Sequence, residues 1–307
     1  MTAENKCVSA IGIDLGGTHI KGVLLDCNSG NLLHTEIMQT HKSHPETWQD
    51  AVKEMEKRLF AYSKLPVAGV GIAAPGLAAA DGRSIANMPG RMSGLENFDW
   101  ADFLQKPVNI LNDAHAALFA EANYGQGKGL NNIVMLTLGT GVGGGLWLNG
   151  HLYEGFLKRA GHLGHITLDS RGTDLDITQM PGSLENAIGN ATVSARSFNR
   201  YGDTEMLVKA YRKGEHLATL VWLNSVRDLA VAIASLINTF APELVIIGGG
   251  IALAGESLFG PLRQFLDVFE WRPSGKATPV RKAYFDEWSG AVGAAAGVLN
   301  PVRENYR

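Results

Sequence analysis

A chain of 307 residues with a formal net charge of -3 is long enough to bury the cores of two α/β domains. Its 27 Lys and Arg against 30 Asp and Glu argue against nucleic acid as a main partner, because binding to a phosphate backbone needs clustered basic side chains. The sequence shows no signal peptide, no apolar run near the ~20 residues of a membrane span, and no cysteine motif. We therefore expect a cytoplasmic protein with no membrane partner.

The first predicted strand, 10–13, leads into a glycine turn, Asp14-Leu15-Gly16-Gly17-Thr18. Glycine lets the main chain approach an anion closely, and threonine adds a hydroxyl donor. Asp14 has the chemistry to hold the water shell of a magnesium ion. The chain then predicts a strand to residue 25, turn residues at 26–31 and a further strand over 31–39, so the fold should begin with a meander.

A helix is predicted over 45–60 and a buried strand over 67–72. Residues 69–74 fit a dinucleotide-binding fingerprint, but Pro75 and Gly76 follow where a helix should begin, so we discount that interpretation. The long segment 78–102 is irregular, and its apolar side chains favour an ordered loop. Arg83 and Arg91 in this loop could meet an anionic substrate, although a solvated surface is the simpler interpretation.

Asn112 and Asp113 end the next predicted strand, 108–111, and precede a helix over 114–122. Open α/β sheets present catalytic groups at this position. A helix N-cap is the competing interpretation, because Asn and Asp side chains accept hydrogen bonds from the first free N–H groups of a helix. Transfer of a phosphoryl group from ATP to an alcohol needs a carboxylate that orients the hydroxyl and takes its proton, and Asp113 has that chemistry.

The second half begins like the first, with a strand over 133–138, a glycine turn at 139–145 and a returning strand over 146–151. A long helix over about 218–240, a strand ending in Gly248-Gly249-Gly250 and a small-residue helix over 289–299 follow. These patterns predict two related α/β domains facing one another across a cleft. We expect residues 1–113 to form one domain, completed by 290–307, and residues 114–289 to form the other.

Seven segments in this order resemble the ROK sugar kinases, which have the two-domain fold of the actin-like ATPases, also described as ribonuclease H-like. The resemblance spans almost the whole chain. It depends on the segments 14–18, Gly71-Ile72-Ala73-Ala74-Pro75-Gly76, Asn112-Asp113-Ala114, 138–145, Gly161-His162-Leu163-Gly164-His165, Gly182-Ser183-Leu184-Glu185 and 248–250.

The resemblance implies ATP-dependent phosphorylation of a sugar hydroxyl, with Asp113 as the general base and Mg²⁺ bound with the ATP. It also implies a homodimer. The positions implied for sugar contacts are Asn87, Asn112, Asp113, His162, His165 and Glu185. Those implied for the nucleotide are Asp14, Gly16, Gly17, Thr18, Gly139, Thr140, Gly141 and Gly249. A ring of Asn, Asp, His and Glu side chains can pair with every hydroxyl of a pyranose.

The chain departs from the family pattern at three places. His162 stands where relatives usually carry a glutamate, so the sugar stays open: a hexose, an amino sugar or an acid-bearing sugar. Asp176, Thr178 and Ser183 occupy the positions of three zinc-binding cysteines, and they lack the thiolates of a structural zinc site, so no such zinc is expected. His19 replaces a common lysine, and Lys21 is the candidate substitute.

Two other functions remain open from the sequence. The same fold serves sugar-binding repressors, so a non-catalytic sugar sensor is the main alternative. Such repressors carry an N-terminal DNA-reading domain, and the first strand here begins near residue 10, which favours the kinase. A kinase for a small polyol or carboxylic acid is the further alternative.

Overall fold

The computed structural model describes residues 8–40, 47–88 and 92–299. Cys7, Arg91 and the expected domain-completing residues 300–307 therefore lie outside the described residues. The chain divides into two compact units. The first contains the described residues up to Gly129, Glu154–Ala160 and those from Tyr284 onward, and the second contains Leu130–Tyr153 and Gly161–Ala283.

The first unit contains a five-stranded sheet and a two-stranded ribbon. Its strands are β1 (Ser9–Leu15), β2 (His19–Asp26), β3 (Leu32–Gln39), β4 (Val67–Ala74), β5 (Leu77–Ala78), β6 (Ile85–Asn87) and β7 (Val108–Asn112). The large sheet has the order β3-β2-β1-β4-β7, and β5 pairs with β6. The first three strands form the expected antiparallel meander, while β4 lies parallel to both β1 and β7.

The sheet of the second unit repeats this arrangement. Its strands are β8 (Ile133–Leu138), β9 (Val142–Leu148), β10 (His151–Leu152), β11 (Leu244–Gly248) and β12 (Val280–Lys282). They follow the order β10-β9-β8-β11-β12, with three antiparallel strands and then two parallel ones. The sequence prediction that the two halves begin alike is confirmed at the level of sheet topology.

The described helices cover the sheets and carry most of the apolar surface. They are α1 (Thr47–Tyr62), α2 (Trp100–Leu104), α3 (Asp113–Tyr124), α4 (Leu184–Ile188), α5 (Val193–Arg196), α6 (Thr204–Arg212), α7 (His216–Phe240), α8 (Glu256–Phe269) and α9 (Ser289–Leu299). Each unit has its own cluster of buried apolar side chains. In the first unit this cluster includes Trp100 from the long segment 78–102, which is ordered where it is described.

Helix α9 lies so close to the first sheet and to α3 that only glycine fits at the contacts. A Cβ atom on Gly71 of β4 would lie 1.8 Å from the carbonyl oxygen of Ala294, and one on Gly293 would lie 1.6 Å from that of Ala116. The glycines of segment 69–74 are thus required by helix packing, which explains why this segment imitates a dinucleotide fingerprint.

The division into units differs from the expected boundary at residue 113. Helix α3 belongs to the first unit because it packs on α9, and the chain passes into the second unit only after Gly129. The chain also returns to the first unit for Glu154–Ala160.

Helix α7 also differs from the sequence expectation about apolar runs. Among the described residues it is the one helix long and apolar enough to cross a membrane, with 25 residues. It packs against α4, α6 and α8, and fully buried side chains such as Val226 and Ile233 belong to the core of the second unit. The core helix of a globular unit passes the same test of length and composition, and burial identifies α7 as such a helix.

Candidate functional site

Asp14 and Asp113 lie at the same edge of the first sheet. Strands β1, β4 and β7 run parallel, so their carboxyl ends meet at one edge. Asp14 pairs with Ala73 on β4, and the next residue of β4, Ala74, pairs with Asn112. Asp113 follows at once as the first residue of α3. The topology thus brings together two carboxylates that are 99 residues apart in sequence (113 − 14).

The surroundings of Asp14 favour its protonated form. Burial, and secondly the negative charge of Asp113, raise the pKa of Asp14 to about 7, while the positive charge of Lys21 opposes this shift. The first turn of α9 closes over the carboxylate, because a Cβ on Gly290 would lie 2.7 Å from its Oδ2 atom. A carboxylate of this kind gains most from a nearby cation, such as a hydrated magnesium ion.

Asn112 is the N-cap of α3. Its Oδ1 accepts hydrogen bonds from the N–H groups of Ala114 (3.0 Å) and His115 (3.2 Å), and its Nδ2 donates to the carbonyl of Gly76 at 2.9 Å. The capping interpretation is therefore right for Asn112. Asp113 differs, since it is exposed and its Oδ1 accepts from Ala114 N at 2.8 Å. The cap positions the first turn of α3 and leaves Asp113 accessible.

In the first glycine turn, Gly16 is fixed by hydrogen bonds, whereas Gly17 and Thr18 are open to solvent. The N–H of Gly16 donates to His19 O at 3.1 Å, and the hydroxyl of Thr40 donates to Gly16 O at 2.7 Å. Gly17 and Thr18 are exposed, and a Cβ on Gly17 would meet no atom within 4 Å. The turn therefore has room for a ligand. Sequence reasoning missed Thr40, for which only its place just after β3 was a signal.

Lys21 is engaged outside the first glycine turn, so it does not directly substitute for the lysine that His19 replaces. Its Nζ atom forms an ion pair with Glu287 Oε2 at 3.0 Å and donates to the carbonyl of Glu287 at 3.3 Å. His19 is exposed beside the turn. Lys21 thus acts on Asp14 through its charge, while its hydrogen bonds go to the segment before α9.

In the second unit, the second glycine turn follows β8 and lies beside the glycines that follow β11. Its carbonyls are fixed: Gly139 O accepts from Asn190 N and Thr140 O from Ala191 N, both at 2.9 Å. Gly249 has a φ of 83°, and a Cβ there would lie 2.3 Å from Leu138 O. The pairing of β8 with β11 therefore brings Gly139 and Gly249 together, as nucleotide-facing turns would require.

Glu185 is buried in the first turn of α4, which excludes the interpretation of an exposed helix-start carboxylate. Its Oε2 accepts from Val142 N at 2.8 Å. A Cβ on Gly141 would lie 2.0 Å from the same oxygen. Glu185 is thus packed against Gly141, and a change at one of these residues affects the other.

His162 and His165 lie close together on one short helical turn, with ring centroids 6.5 Å apart and ring planes 14° from parallel. His165 faces Asp176, whose Oδ2 lies 3.9 Å from its Nδ1. The hydroxyls of Thr178 (2.8 Å) and Ser183 (2.6 Å) both donate to the Asp176 carboxylate. Among the described residues no group of three or more His, Cys, Asp and Glu is arranged to hold a metal. The absence of structural zinc stays a prediction.

The remaining predicted site residues are on the segment 78–102 and its flanks. Asn87 is exposed at the end of β6, and its carbonyl would lie 2.6 Å from a Cβ on Gly76. The structure thus places Asn87 next to the loop whose Gly76 carbonyl binds Asn112. Arg83 is held by Asp99 (2.7 Å) and Asp102 (2.8 Å), which supports a surface role for it.

Comparison with known proteins places the chain in a class of two-domain α/β sugar-kinase folds. The model of the ROK family matches residues 10–300, so the chain belongs to the ROK family. A glucokinase of Thermotoga maritima is 34% identical over an alignment covering 83% of this chain and 86% of that protein. An N-acetyl-D-glucosamine kinase of Pectobacterium carotovorum subsp. carotovorum is 28% identical over an alignment covering 92% of this chain and 97% of that protein. 

A crystal structure with the same fold comes from a ROK family glucokinase of Streptomyces griseus, solved in complex with glucose and AMPPNP. It has a TM-score of 0.77 and 26% sequence identity, and the match covers 94% of this chain and 98% of that one. The predicted fold class, the two-domain α/β fold of the actin-like ATPases, is thereby confirmed.

Proposed function

We propose that this protein transfers the γ-phosphoryl group of ATP to a hydroxyl of a hexose or an amino sugar. The observation that carries the proposal is the pair Asp14 and Asp113 at one sheet edge, beside the open turn at Gly17. Phosphoryl transfer needs little covalent help from a protein, but it needs positioned charge and a group that takes the hydroxyl proton. Kinase relatives and a relative bound to glucose and AMPPNP support the same reaction.

Each carboxylate has its own role in the proposal. Asp113 is exposed in the first turn of α3, and in this proposal it is the general base that accepts the proton of the sugar hydroxyl. Asp14 would hold the hydration shell of Mg²⁺, which supplies a positive charge that stabilises the transferring phosphoryl group. The backbone at Gly16, Gly17 and Thr18 and at Gly139, Thr140, Gly141 and Gly249 would bind the nucleotide.

The sugar contacts are proposed for Asn87, Asn112, His162, His165 and Glu185 together with Asp113. Because Oδ1 of Asn112 is engaged in the cap and one N–H of its amide donates to Gly76, the second N–H is the group that would donate to a sugar oxygen. Glu185 would share its carboxylate between the N–H of Val142 and a sugar hydroxyl. We also propose a homodimer, in line with the family resemblance, and a cytoplasmic location, which the free thiol of Cys27 supports.

The test is turnover with a panel of hexoses and amino sugars in the presence of Mg-ATP. At least one sugar should give ADP, and Asp113→Asn should lower kcat by roughly 10²–10⁴-fold, because Asn keeps the hydrogen bond to Ala114 but cannot take a proton. Asp102→Asn is the matched control, as an exposed aspartate in the first turn of α2. Full turnover by Asp113→Asn would refute its role as the base.

Calorimetry separates the kinase from the alternative of a sugar sensor. A kinase binds both the sugar and a nonhydrolysable ATP analogue, and each ligand should raise the melting temperature of the protein. Sugar binding without binding of the nucleotide would favour the sensor instead.

A further inference from the structure

We propose that Thr178 and Asp176 fix the tautomer of His165, so that Nε2 of the neutral ring is a hydrogen-bond acceptor that selects a donor group on the substrate. Thr178 and Asp176 are positioning residues in this proposal, since they act on the substrate through His165. The selection rests on the proposed function, because it takes His165 as a sugar contact. The tautomer itself does not depend on any ligand.

The first step concerns the charge of Asp176. Its side chain is completely buried, and its carboxylate accepts four hydrogen bonds. The donors are Thr178 N (2.8 Å), Thr178 Oγ1 (2.8 Å), Met180 N (2.9 Å) and Ser183 Oγ (2.6 Å). Burial would raise the pKa of Asp176, but these donors outweigh it and hold the pKa below its usual range. Asp176 is therefore an ionised group that only accepts hydrogen bonds.

The second step fixes the direction of the hydrogen bonds around Thr178. A hydroxyl has one proton, and the proton of Thr178 is donated to Asp176 Oδ1. The Thr178 oxygen lies 3.4 Å from His165 Nδ1 and has only lone pairs left to offer there. The ionised Oδ2 of Asp176 lies 3.9 Å from the same nitrogen. Both neighbours of Nδ1 are thus acceptors, and they stabilise the ring that carries its proton on Nδ1.

The third step is the consequence at the other ring nitrogen. A neutral imidazole carries one proton, so a ring protonated at Nδ1 has a lone pair at Nε2. The side chain of His165 is 39% exposed, which leaves room for a ligand at the ring. A sugar group that meets Nε2 must therefore donate, as a hydroxyl or an amide N–H does. A fluorine, an ether oxygen or a hydrogen at that position should be rejected, because none of these donates to nitrogen.

The tautomer can be read directly from the ring nitrogens of ¹⁵N-histidine-labelled protein without ligand. Spectra would be recorded over a series of rising pH values, and the tautomer would be read where the nitrogen shifts have become constant. His165→Gln identifies the signals of His165 among the nine histidines. We expect protonated Nδ1 and bare Nε2 in the wild type. A wild-type ring protonated at Nε2 overturns the proposal.

Variants at Thr178 test the cause. Thr178→Val removes the nearer of the two acceptors at Nδ1 while keeping a β-branched side chain at an exposed position, and it should shift the tautomer toward Nε2–H. Thr178→Ser keeps the hydroxyl and should retain the wild-type spectrum. Thr173→Val makes the same change at another exposed threonine of this loop and should alter nothing. An unchanged tautomer in Thr178→Val overturns the role proposed for Thr178.

Kinetics then test the selection. Thr178→Val should raise KM for the sugar about fivefold and change kcat less than twofold, which corresponds to the loss of one hydrogen bond of ordinary strength. For the wild type, the deoxy and fluoro sugars modified at the hydroxyl that faces His165 should bind equally poorly. The hydroxyl that faces His165 is identified with the variant His165→Ala: removing that hydroxyl from the sugar should not weaken binding to this variant any further.

A fluoro sugar that binds much better than its deoxy counterpart would show that Nε2 donates, and the proposal would be wrong. If the protein neither phosphorylates nor binds any sugar, the proposed function fails instead. The nitrogen spectra would still decide the tautomer.

Discussion

Asp14 shows how a single residue can be favourable for function and costly for folding. Its carboxylate is buried beside the first turn of α9 and lies near the charge of Asp113, and both the burial and this charge disfavour ionisation. A cation bound at this place would remove that cost. The same surroundings therefore predict both a preference for a bound cation and a pH dependence of stability when no cation is present.

We expect Asp14→Asn to raise the melting temperature at about pH 8.5 in the absence of magnesium and to abolish turnover. The pKa of Asp14 rises from 3.8 in the unfolded chain to about 7 in the folded one, so the folded form holds more protons between these values. Stability of the wild type therefore falls as the pH rises through this window, and the Asn variant avoids this loss. Thermal denaturation at several pH values measures the effect.

The gain from Asp14→Asn should shrink toward pH 5, where the wild-type carboxyl is protonated in the folded state. Asp174→Asn, at an exposed aspartate, is the control and should show no such gain. A variant less stable than the wild type at high pH would contradict the electrostatic account.

At the scale of elements, two glycines of the segment between β8 and β9, Gly139 and Gly141, have different surroundings. A methyl group on Gly139 would meet no atom within 4 Å, whereas one on Gly141 would lie 2.0 Å from Glu185 Oε2. Gly141→Ala must therefore displace Glu185, and we expect a rise of roughly tenfold or more in KM for the sugar. Gly139→Ala should leave the fold and the sugar KM unchanged and raise KM for ATP. Steady-state kinetics with each substrate varied in turn distinguishes the two variants. Equal effects of both variants on the sugar KM would contradict the specific contact between Gly141 and Glu185.

The packing of α9 on α3 predicts opposite effects at two helical glycines. Gly293→Ala places a methyl group 1.6 Å from Ala116 O, so the helices must separate, and we expect a loss of about 3 kcal/mol or more in the free energy of unfolding. Gly260→Ala in α8 has 3.6 Å to its nearest neighbour, Glu256 Oε2, and should gain up to about 1 kcal/mol from helix propensity. Urea denaturation measures both. A stabilised Gly293→Ala would show that α9 does not pack as described.

At the scale of the whole molecule, the buried carboxylate of Glu121 accepts hydrogen bonds from the backbone near two of the places where the chain crosses from one unit to the other. Glu121 Oε1 accepts from Tyr284 N (2.7 Å) and Phe285 N (3.0 Å), just after the chain leaves the second unit at Ala283. Its Oε2 accepts from Gln126 N at 3.0 Å, shortly before the chain enters that unit after Gly129. Sequence reasoning missed Glu121, because an acidic residue within a helical pattern gives no signal of burial.

We expect Glu121→Gln to lower the free energy of unfolding by about 1–3 kcal/mol, because the new amide group must face a backbone N–H that has lost its acceptor. Amide exchange at Tyr284 and Phe285 should become faster. Glu205→Gln, at an exposed position of α6, is the control and should change stability by less than ~0.5 kcal/mol. Unchanged exchange at these two amides would contradict the role of Glu121.

Much of this molecule follows from local sequence patterns. The alternation and length of apolar runs predicted the meander and the second strand set, since these elements are bounded by turn residues, and a run of small residues predicted helix α9. The glycine turns and Asn112-Asp113 were found because each follows a strand directly, and family membership is confirmed. The roles of the individual site residues stay predictions until they are tested.

Only the tertiary structure decided which glycines serve packing, which carboxylates are buried and where the units divide. Gly71 and Gly17 look alike in sequence, yet one lies under α9 and the other is open. Glu185, Asp176 and Glu121 are buried although their residue types are usually exposed. A sequence pattern reports neighbours along the chain, whereas burial, pKa and close contact depend on groups that are distant in sequence and meet only in the folded chain.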